Sequence, residues 1–312
     1  MRCIINPTGK YNPKCIIVST EEYSRKVVDI IMQFSEAWKY YERDKQLEGY
    51  SRSTLKGYKL QYGLLADYYP EDLKLGDFDR NLLKEYLVKQ VHLKPNSIAY
   101  RIKFIRSFFR WAVDEGYINK NPAVSIKEPK TGIRVPKFLT EEDIEYLRDA
   151  CYDERSRAIF EFLYNTGCRI GEVVTVNILD IDWGRKALVV MGKGNKEREV
   201  YFTTKCSIHL KRYIESRKDD CPALFATVRR PYRRISIDQM RYILKKVAKK
   251  SGIEANVYPH RLRHSFATHL LDNGAPMEVI QQMLGHSKME TTQIYAQLSG
   301  EHRRRMYKKY FH

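Results

Sequence analysis

The most informative stretch of the chain, residues 259–271, reads Pro-His-Arg-Leu-Arg-His-Ser-Phe-Ala-Thr-His-Leu-Leu. Proline is tolerated in the first turn of a helix, so Pro259 predicts a helix over 259–273. His260 and Arg263 are three residues apart and lie on one face of that helix. Histidine titrates near neutral pH and arginine stays charged, so the pair provides acid–base capacity beside a fixed cation.

The same stretch has a spacing that is also found in zinc sites. His260 and His264 are four residues apart, which suits two ligands of one zinc ion. The glutamate of the His-Glu-x-x-His pattern is missing, because Arg261 stands in its place. Arg261 and Arg263 would also repel a cation. We therefore expect no metal here.

A second informative stretch is Thr-Gly-Cys-Arg-Ile-Gly-Glu, residues 166–172. Gly167 predicts the end of one helix and Arg169 the start of the next, with Glu172 on the same face as Arg169. Backbone N–H groups and a guanidinium at a helix start favour an anion, and a carboxylate can hold the guanidinium in place. On its own, the stretch is more typical of a structural arginine–glutamate pair.

Two further positions gain meaning from their neighbours. Lys193 lies in Gly-Lys-Gly-Asn-Lys, residues 192–196, whose glycines permit a tight hairpin loop; its ammonium can donate a proton or contact a phosphate. Tyr295 follows nine residues after His286, in a segment that starts with Leu-Gly-His-Ser (284–287). Alone, a lysine at a hairpin tip is usually solubilising, and one of 23 tyrosines has no special meaning.

The region around these motifs is predicted to be mainly helical, with one small antiparallel sheet. Cap patterns mark two helix starts, Thr140 with Asp143 and Ser236 with Gln239. The predicted helices span 141–151, 154–165, 169–176, 204–217, 236–250, 259–273, 276–284 and 288–296, and the predicted strands span 179–182, 187–191 and 198–202.

The N-terminal part of the chain is predicted to be entirely helical, over 27–41, 53–68, 80–91 and 96–115. The last helix has one continuous apolar stripe, formed by Ile98, Ile102, Ile105, Phe109 and Ala112. Its other face carries a cationic stripe, formed by Lys103, Arg106 and Arg110. Such a stripe can track the phosphate backbone of DNA, although a solvated helix face accounts for a single stripe equally well.

Residues 117–137 predict an extended basic linker between two domains. Prolines interrupt any helix there, and the cations are opposed by one acid, Glu128. A linker of this kind would let two basic domains close around a duplex, with Lys130 and Arg134 contacting DNA.

The composition agrees with a basic protein of two domains. The 312 residues contain 56 Lys and Arg against 38 Asp and Glu, a net charge of +18. Such a charge is typical of a protein with an anionic partner (DNA, RNA or an acidic membrane surface), although on charge alone a generic basic surface also accounts for it. At about 150 residues per domain, the length predicts two domains. No apolar run approaches the roughly 18–20 residues of a membrane helix, and the N-terminus lacks the pattern of a signal peptide. The six cysteines form no Cys-x-x-Cys pair and are typical of reduced thiols. We expect a soluble, cytoplasmic protein.

With these motifs in this order, the chain resembles the tyrosine recombinase (phage-integrase) family, most closely its Xer-like branch. The resemblance covers about residues 26–312. It implies a mainly α fold, with an N-terminal all-helical, SAM-like core-binding domain and an α-rich catalytic domain that holds a small three-stranded antiparallel sheet. The expected division is an N-terminal extension at 1–25, the core-binding DNA-binding domain at 26–116, the basic linker at 117–137, and the catalytic domain with a C-terminal tail helix at 138–312.

The resemblance also implies roles for the site residues. Tyr295 is expected to attack a scissile DNA phosphate, giving a 3′-phosphotyrosyl link and a free 5′-hydroxyl. Arg169 and Arg263 would bind the non-bridging oxygens, where charge develops in the transition state. Lys193 would protonate the departing 5′-oxygen, and His260 would handle the tyrosine proton.

Two residues would assist this chemistry: His286 through a hydrogen bond to the phosphate, and Glu172 by orienting Arg169. No metal and no other cofactor is expected, because arginine and lysine supply the positive charge and the phosphotyrosyl bond keeps the energy needed for rejoining.

The implied partner is double-stranded DNA with inverted-repeat binding sites. A homo-tetramer, or a hetero-tetramer with a related recombinase, would exchange strands through a Holliday junction, in the cytoplasm and associated with the nucleoid. The basic tail (301–312) would dock on a neighbouring subunit, and DNA contact by the tail stays open. Type IB topoisomerase-like relaxation of DNA and non-catalytic DNA binding on the same fold are the alternatives. The sequence leaves open the target site, the need for an accessory factor, and whether the role is dimer resolution or integration and excision of a mobile element.

Overall fold

The computed structural model describes residues 32–130, 137–192 and 197–285, with three positions of the tail, 304, 307 and 308. These residues divide into two compact units. The first contains 32–130, and the second contains the described residues from 137 onward.

The described part of the first unit is helical, with one short 3-10 turn between the second helix and the third. The helices are α1 (Phe34–Leu47), α2 (Arg52–Ala66), α3 (Arg80–Val88) and α4 (Pro95–Asp114), and the turn is Leu75–Asp77. α4 confirms the predicted pattern: Pro95 lies in its first turn, and Ile102, Ile105 and Phe109 of the predicted stripe are buried. Each large apolar side chain buried in this way contributes about 1.5–3 kcal/mol.

The first part of the segment that was expected to be an extended linker instead packs against the first unit. Ala123 and Ile126 are buried in the core of that unit, at 0% and 5% exposure. Glu128 accepts a hydrogen bond from Nη1 of Arg106 at 2.9 Å, and the ammonium of Lys103 lies 3.6 Å from it. The carboxylate therefore joins the segment to α4 and occupies part of the cationic stripe.

The described part of the second unit contains helices around one three-stranded antiparallel sheet, in the order β1-β2-β3. The strands are β1 (Ile181–Asp182), β2 (Ala187–Met191) and β3 (Glu197–Tyr201). The helices are α5 (Glu141–Asp149), α6 (Glu154–Thr166), α7 (Ile170–Val173), α8 (Thr204–Ser216), α9 (Ile237–Ser251), α10 (Pro259–Asp272) and α11 (Met277–Leu284).

α6 is the centre of this unit and packs against α8, α9 and α10. Its apolar residues, including Ile159, Phe160 and Phe162, are fully buried. Both predicted cap patterns are confirmed. Thr140 and Asp143 form a reciprocal capping box at the start of α5, and the corresponding box of 236–239 starts α9.

Most second-unit elements lie where the sequence predicts them, and two are shorter. The helix predicted over 169–176 is confined to α7, and the strand predicted over 179–182 is confined to β1. Leu179, predicted to lie in that strand, is in a 3-10 turn and is 92% exposed. The turn forms because the carboxylate of Asp180 accepts the backbone N–H of Asn177 at 2.7 Å.

No helix in the described ranges is long and apolar enough to cross a membrane. The predicted helix over 288–296 lies outside the described residues.

Candidate active site

Arg263 connects three helices at the centre of the second unit. It projects from α10 and is only 3% exposed. Its Nη1 donates to the carbonyl of Gly167, just after α6, and its Nη2 donates to the carbonyl of Leu284 at the end of α11, both at 2.6 Å. Gly167 has a φ of +58°, and a Cβ at this position would lie 2.5 Å from the ring of Phe266. The turn that presents this carbonyl therefore requires glycine.

Arg169 and Glu172 form a reciprocal cap at the start of α7. The carboxylate of Glu172 accepts the backbone N–H of Arg169 at 2.7 Å and its Nη1 at 2.9 Å. Nη2 of Arg169 donates to the carbonyl of Gly285 at 3.3 Å. The side chain of Arg169 is 31% exposed, so its guanidinium is anchored by Glu172 and also accessible to solvent.

Arg198, which is not one of the predicted site residues, completes this cluster. It projects from β3, and its guanidinium makes a bidentate ion pair with Glu172, with Nη–Oε distances of 2.8 and 2.7 Å. Its Nε donates to the carbonyl of Met283 at 3.1 Å, and its side chain is 9% exposed.

The sequence did contain a signal for Arg198. In β3 it lies two residues from Val200, and it pairs with Val190 of β2. Both valines are buried, so the alternation of a strand directs the arginine towards the core. An arginine on the buried face of a strand requires a partner, and Glu172 is that partner.

Hydrogen bonds to the carboxylate control the ionisation of Glu172. Burial alone would raise its pKa, but hydrogen bonds from Arg198 and from the backbone N–H of Arg169 outweigh burial and lower the pKa below its usual value of 4.5. The carboxylate is therefore charged at neutral pH.

His260 is exposed at the start of α10, near the arginines. Partial loss of hydration, and then the positive charges of Arg263, Arg169 and Arg241, lower its pKa from 6.5 and outweigh the opposite effect of Glu172. The imidazole is therefore neutral at pH 7 and can accept a proton.

His264 is one turn further along α10. Burial, and then the charges of His260 and Arg263, lower its pKa to about 4. Two imidazoles in so positive an environment are poorly suited to bind a metal cation. Within the described ranges, no three His, Cys, Asp or Glu side chains are grouped as they would be around a metal ion.

The structure thus brings together four of the predicted site residues: Arg169, Glu172, His260 and Arg263. The other three, Lys193, His286 and Tyr295, lie outside the described residues. Their neighbours are described. Lys193 follows β2 by two positions, and His286 comes directly after Gly285.

The residues predicted to contact DNA have differing surroundings. Arg110 and Lys130 are exposed, and the side chain of Lys103 is 65% exposed. Arg106 donates to Glu128 and to a backbone carbonyl, which leaves its side chain 34% exposed. Arg134 lies outside the described residues.

Comparisons with known proteins agree with this arrangement. Residues 137–302 match the phage integrase family, and residues 33–128 match the phage integrase SAM-like domain. The chain belongs to the phage integrase family. It is 35% identical over 230 residues to the tyrosine recombinase XerC of Oceanobacillus iheyensis, covering 70% of this chain and 75% of that relative. It is also 35% identical over 235 residues to the XerC of Pediococcus pentosaceus, covering 70% and 77% of the two chains.

Solved structures support the fold of this recombinase. The crystal structure of XerA recombinase is 29% identical, with a TM-score of 0.52, and the match covers 89% of this chain and 99% of that one. A λ integrase dimer bound to a COC′ core site has the same fold at 20% identity, with a TM-score of 0.72 and coverage of 86% and 78%. The predicted fold class is confirmed. The protein is a tyrosine recombinase, an enzyme of site-specific recombination, and its relatives do not favour the topoisomerase-like or non-catalytic alternatives.

Proposed function

We propose that this recombinase cleaves and rejoins double-stranded DNA through a 3′-phosphotyrosyl link to Tyr295. The observation that carries the proposal is the charge of the described cluster. The guanidiniums of Arg169, Arg198 and Arg263 surround the start of α7, where one carboxylate, Glu172, opposes them. An excess of positive charge in a mostly buried site favours an oxyanion, such as a phosphodiester approaching its transition state.

Residues of this chain supply the nucleophile, the base and the acid that the proposed reaction needs. The phenol oxygen of Tyr295 forms a bond to phosphorus while the bond from phosphorus to the 5′-oxygen breaks. Neutral His260 takes the phenol proton, and Lys193 gives a proton to the departing 5′-oxygen. Rejoining reverses these transfers when the 5′-hydroxyl of another strand attacks the phosphotyrosyl bond. No oxidant, nucleotide or water is consumed.

The phosphate oxygens are assigned to Arg169, Arg263 and His286. Arg169 is the better placed of the described groups, because Glu172 fixes its orientation while the guanidinium stays partly exposed. Arg263 is held by main-chain carbonyls on either side of the site and adds a second fixed charge. Removing a single donor to a developing oxyanion typically slows an enzyme by about 10²–10³-fold.

Assembly on DNA is the remaining part of the proposal. Among the structural neighbours, λ integrase has been solved as a tetramer bound to a Holliday junction, and XerH bound to a palindromic substrate. We infer a tetramer, of this chain alone or with a related recombinase, on two duplexes with inverted-repeat sites. The exposed cations Lys103, Arg110 and Lys130, with Arg134, would contact the phosphate backbone, and the tail would dock on a neighbouring subunit. Such an enzyme would work at the nucleoid.

A nicked target-site duplex tests the chemistry. Wild type should become covalently attached to the 3′-phosphate at the scissile position. Cleavage there releases the short fragment between that position and the nick, whose 5′-hydroxyl diffuses away, so rejoining is prevented. Tyr295→Phe should give no adduct, whereas Tyr146→Phe, an exposed tyrosine on α5, should react as wild type. An adduct formed by Tyr295→Phe would refute the assignment.

The same protein on two intact sites tests the exchange. Recombinant duplexes formed by this chain alone would support a homo-tetramer, and products formed only with a second recombinase would support a hetero-tetramer. Efficient relaxation of a supercoiled plasmid without any target site would contradict site-specific exchange.

A further inference from the structure

The side chain of Arg198 makes contacts well beyond the strand to which it belongs. Its side chain is 9% exposed, and three groups of it are engaged. Nη1 and Nη2 pair with the two oxygens of Glu172, and Nε donates to the main chain of Met283 near the end of α11. One side chain thus joins β3, α7 and α11 around the candidate site.

We propose that Arg198 is a positioning residue of the recombination reaction, which fixes the carboxylate of Glu172 so that Arg169 meets the scissile phosphate in one orientation. This inference rests on the proposed function, since it assigns the phosphate to Arg169. Arg198 itself is assigned no contact with DNA.

The geometry of the shared carboxylate supports this role. Oε1 of Glu172 accepts from Nη1 of both Arg169 and Arg198, at 2.9 and 2.8 Å. Oε2 accepts the backbone N–H of Arg169 and Nη2 of Arg198, both at 2.7 Å. A carboxylate held by the planar fork of an arginine cannot rotate about its last bond. The guanidinium of Arg169 is therefore oriented by a group whose plane Arg198 sets.

A second contact extends the effect of Arg198 to the end of α11. Gly285 has a φ of +63°, and a Cβ there would lie 2.9 Å from Cδ of Arg198. The carbonyl of this glycine also accepts from Arg169, at 3.3 Å. Arg198 thus packs against the residue that both contacts Arg169 and precedes His286 in the chain.

The competing explanation is that the pair of Arg198 and Glu172 only stabilises the fold. A purely structural pair predicts that its loss lowers the melting temperature and leaves the chemical step of the folded enzyme unchanged. A positioning role predicts a slower chemical step with DNA affinity retained. A displacement of about 1 Å at a reacting group can slow an enzyme by about 10²-fold.

The experiment is a double-mutant cycle on the rate of cleavage of the nicked duplex, measured in single turnover with enzyme in excess. Arg198→Lys keeps the charge and removes the fork, so cleavage should slow by about 10²-fold. Its dissociation constant for the same DNA should change by less than about 3-fold, since a buried side chain makes no phosphate contact. In an Arg169→Ala background, Arg198→Lys should have almost no further effect, because the group through which it acts is absent.

Arg217→Lys is the matched control. Arg217 is equally buried, with 6% of its side chain exposed, and its fork pairs with Asp219 at 2.5 and 3.1 Å. Its other bonds are to the carbonyls of 221, 223 and 224. This substitution should leave the cleavage rate unchanged in both backgrounds.

Several results would overturn the proposal. These are a cleavage rate of Arg198→Lys within about 3-fold of wild type, an equal slowing in both backgrounds, or a loss of DNA affinity that matches the loss of rate. Calorimetry checks that each variant is folded. If Arg198→Lys does not fold, Arg198→Gln, which keeps an N–H donor in the side chain and lacks the fork, replaces it in the same cycle. Failure of the proposed function is seen separately, as a wild type that forms no adduct or a Tyr295→Phe that does.

Discussion

Replacing Glu172 with glutamine measures what the shared carboxylate contributes to the second unit. Glutamine keeps the shape of the side chain and removes its negative charge. The guanidiniums of Arg169 and Arg198 then face a neutral amide at a position that is only 6% exposed. The amide nitrogen also places hydrogen donors where an oxygen had accepted, so at least one contact is lost.

The expected loss of stability follows from this burial. Removing one partner of a buried ion pair costs about 3–5 kcal/mol, because the other charge stays buried without compensation. Arg169 is 31% exposed and can be solvated, which places the expected loss near the lower limit, at about 3 kcal/mol. In a unit of this size, 1 kcal/mol corresponds to roughly 2–4 °C, so the Tm should fall by about 6–12 °C.

The loss should also depend on pH. The pKa of Glu172 in the folded protein lies below its usual value of 4.5. Its contribution to stability is therefore fully present above that value and is lost as the pH falls through the folded pKa. The difference in Tm between wild type and Glu172→Gln should be largest at neutral pH and should narrow below about pH 4.5.

Calorimetry at neutral pH and below pH 4.5 measures both effects. Glu199→Gln is the control, because Glu199 pairs with Arg185 at the surface, where the side chains are 31% and 68% exposed. A surface pair contributes about 0–1 kcal/mol, so the control should lose at most about 4 °C. Equal losses in the two variants, or a difference that widens as the pH falls, would refute the reasoning.

Three further predictions concern the reaction, the turn after α11 and DNA binding. Arg241→Gln removes a positive charge near His260 and should therefore raise the pKa of that histidine. In a pH–rate profile, the pH below which cleavage slows should move upward. A downward shift would contradict the electrostatic explanation. Gly285→Ala forces a non-glycine residue to a φ of +63° and places a methyl group against Arg198. The free energy of unfolding, measured by calorimetry, should fall by about 1–3 kcal/mol. An unchanged Tm would show that the turn is not strained. Arg110→Gln should weaken binding to all DNA sequences about equally. It should also reduce the slope of log affinity against log salt concentration by about 1, measured by titration at several salt concentrations. An unchanged slope would show that Arg110 does not contact DNA.

Most helices were predictable because their signals are local. The first was misplaced: it was predicted over 27–41 and is observed as α1, Phe34–Leu47. In α4 the apolar stripe repeats at helical spacing, and a proline in the first turn marks the start. β2 lies at its predicted bounds, since its apolar run directly follows the turn at 183–186. Leu179 was misplaced because its apolar character suggested a strand, whereas the hydrogen bond between Asn177 and Asp180 forms a turn.

The candidate site was predictable where its partners are close in sequence. Arg169 and Glu172 are three residues apart, so the pair follows from helical spacing alone. Arg198 is 26 residues from Glu172, and this pairing exists only once β3 packs beside α7. The contact of Arg106 with Glu128 spans 22 residues and was missed for the same reason, since composition shows that a segment is basic but not that its one acid meets a distant arginine.

Three consecutive carbonyls at the end of α11, those of residues 283–285, each accept from a different arginine: Arg198, Arg263 and Arg169 in that order. The last carbonyls of a helix carry its negative dipole end and have no acceptor role within the helix. Here the arginines act as a C-terminal cap, so unwinding of the last turn of α11 would break all three of these hydrogen bonds together, while Glu172 would still hold Arg169 and Arg198. Because the acceptors are main-chain atoms, these hydrogen bonds depend on the position of the backbone and little on which side chain stands at 283. Inserting one residue into α11 would rotate all three carbonyls by about 100° and disconnect the cap as a whole.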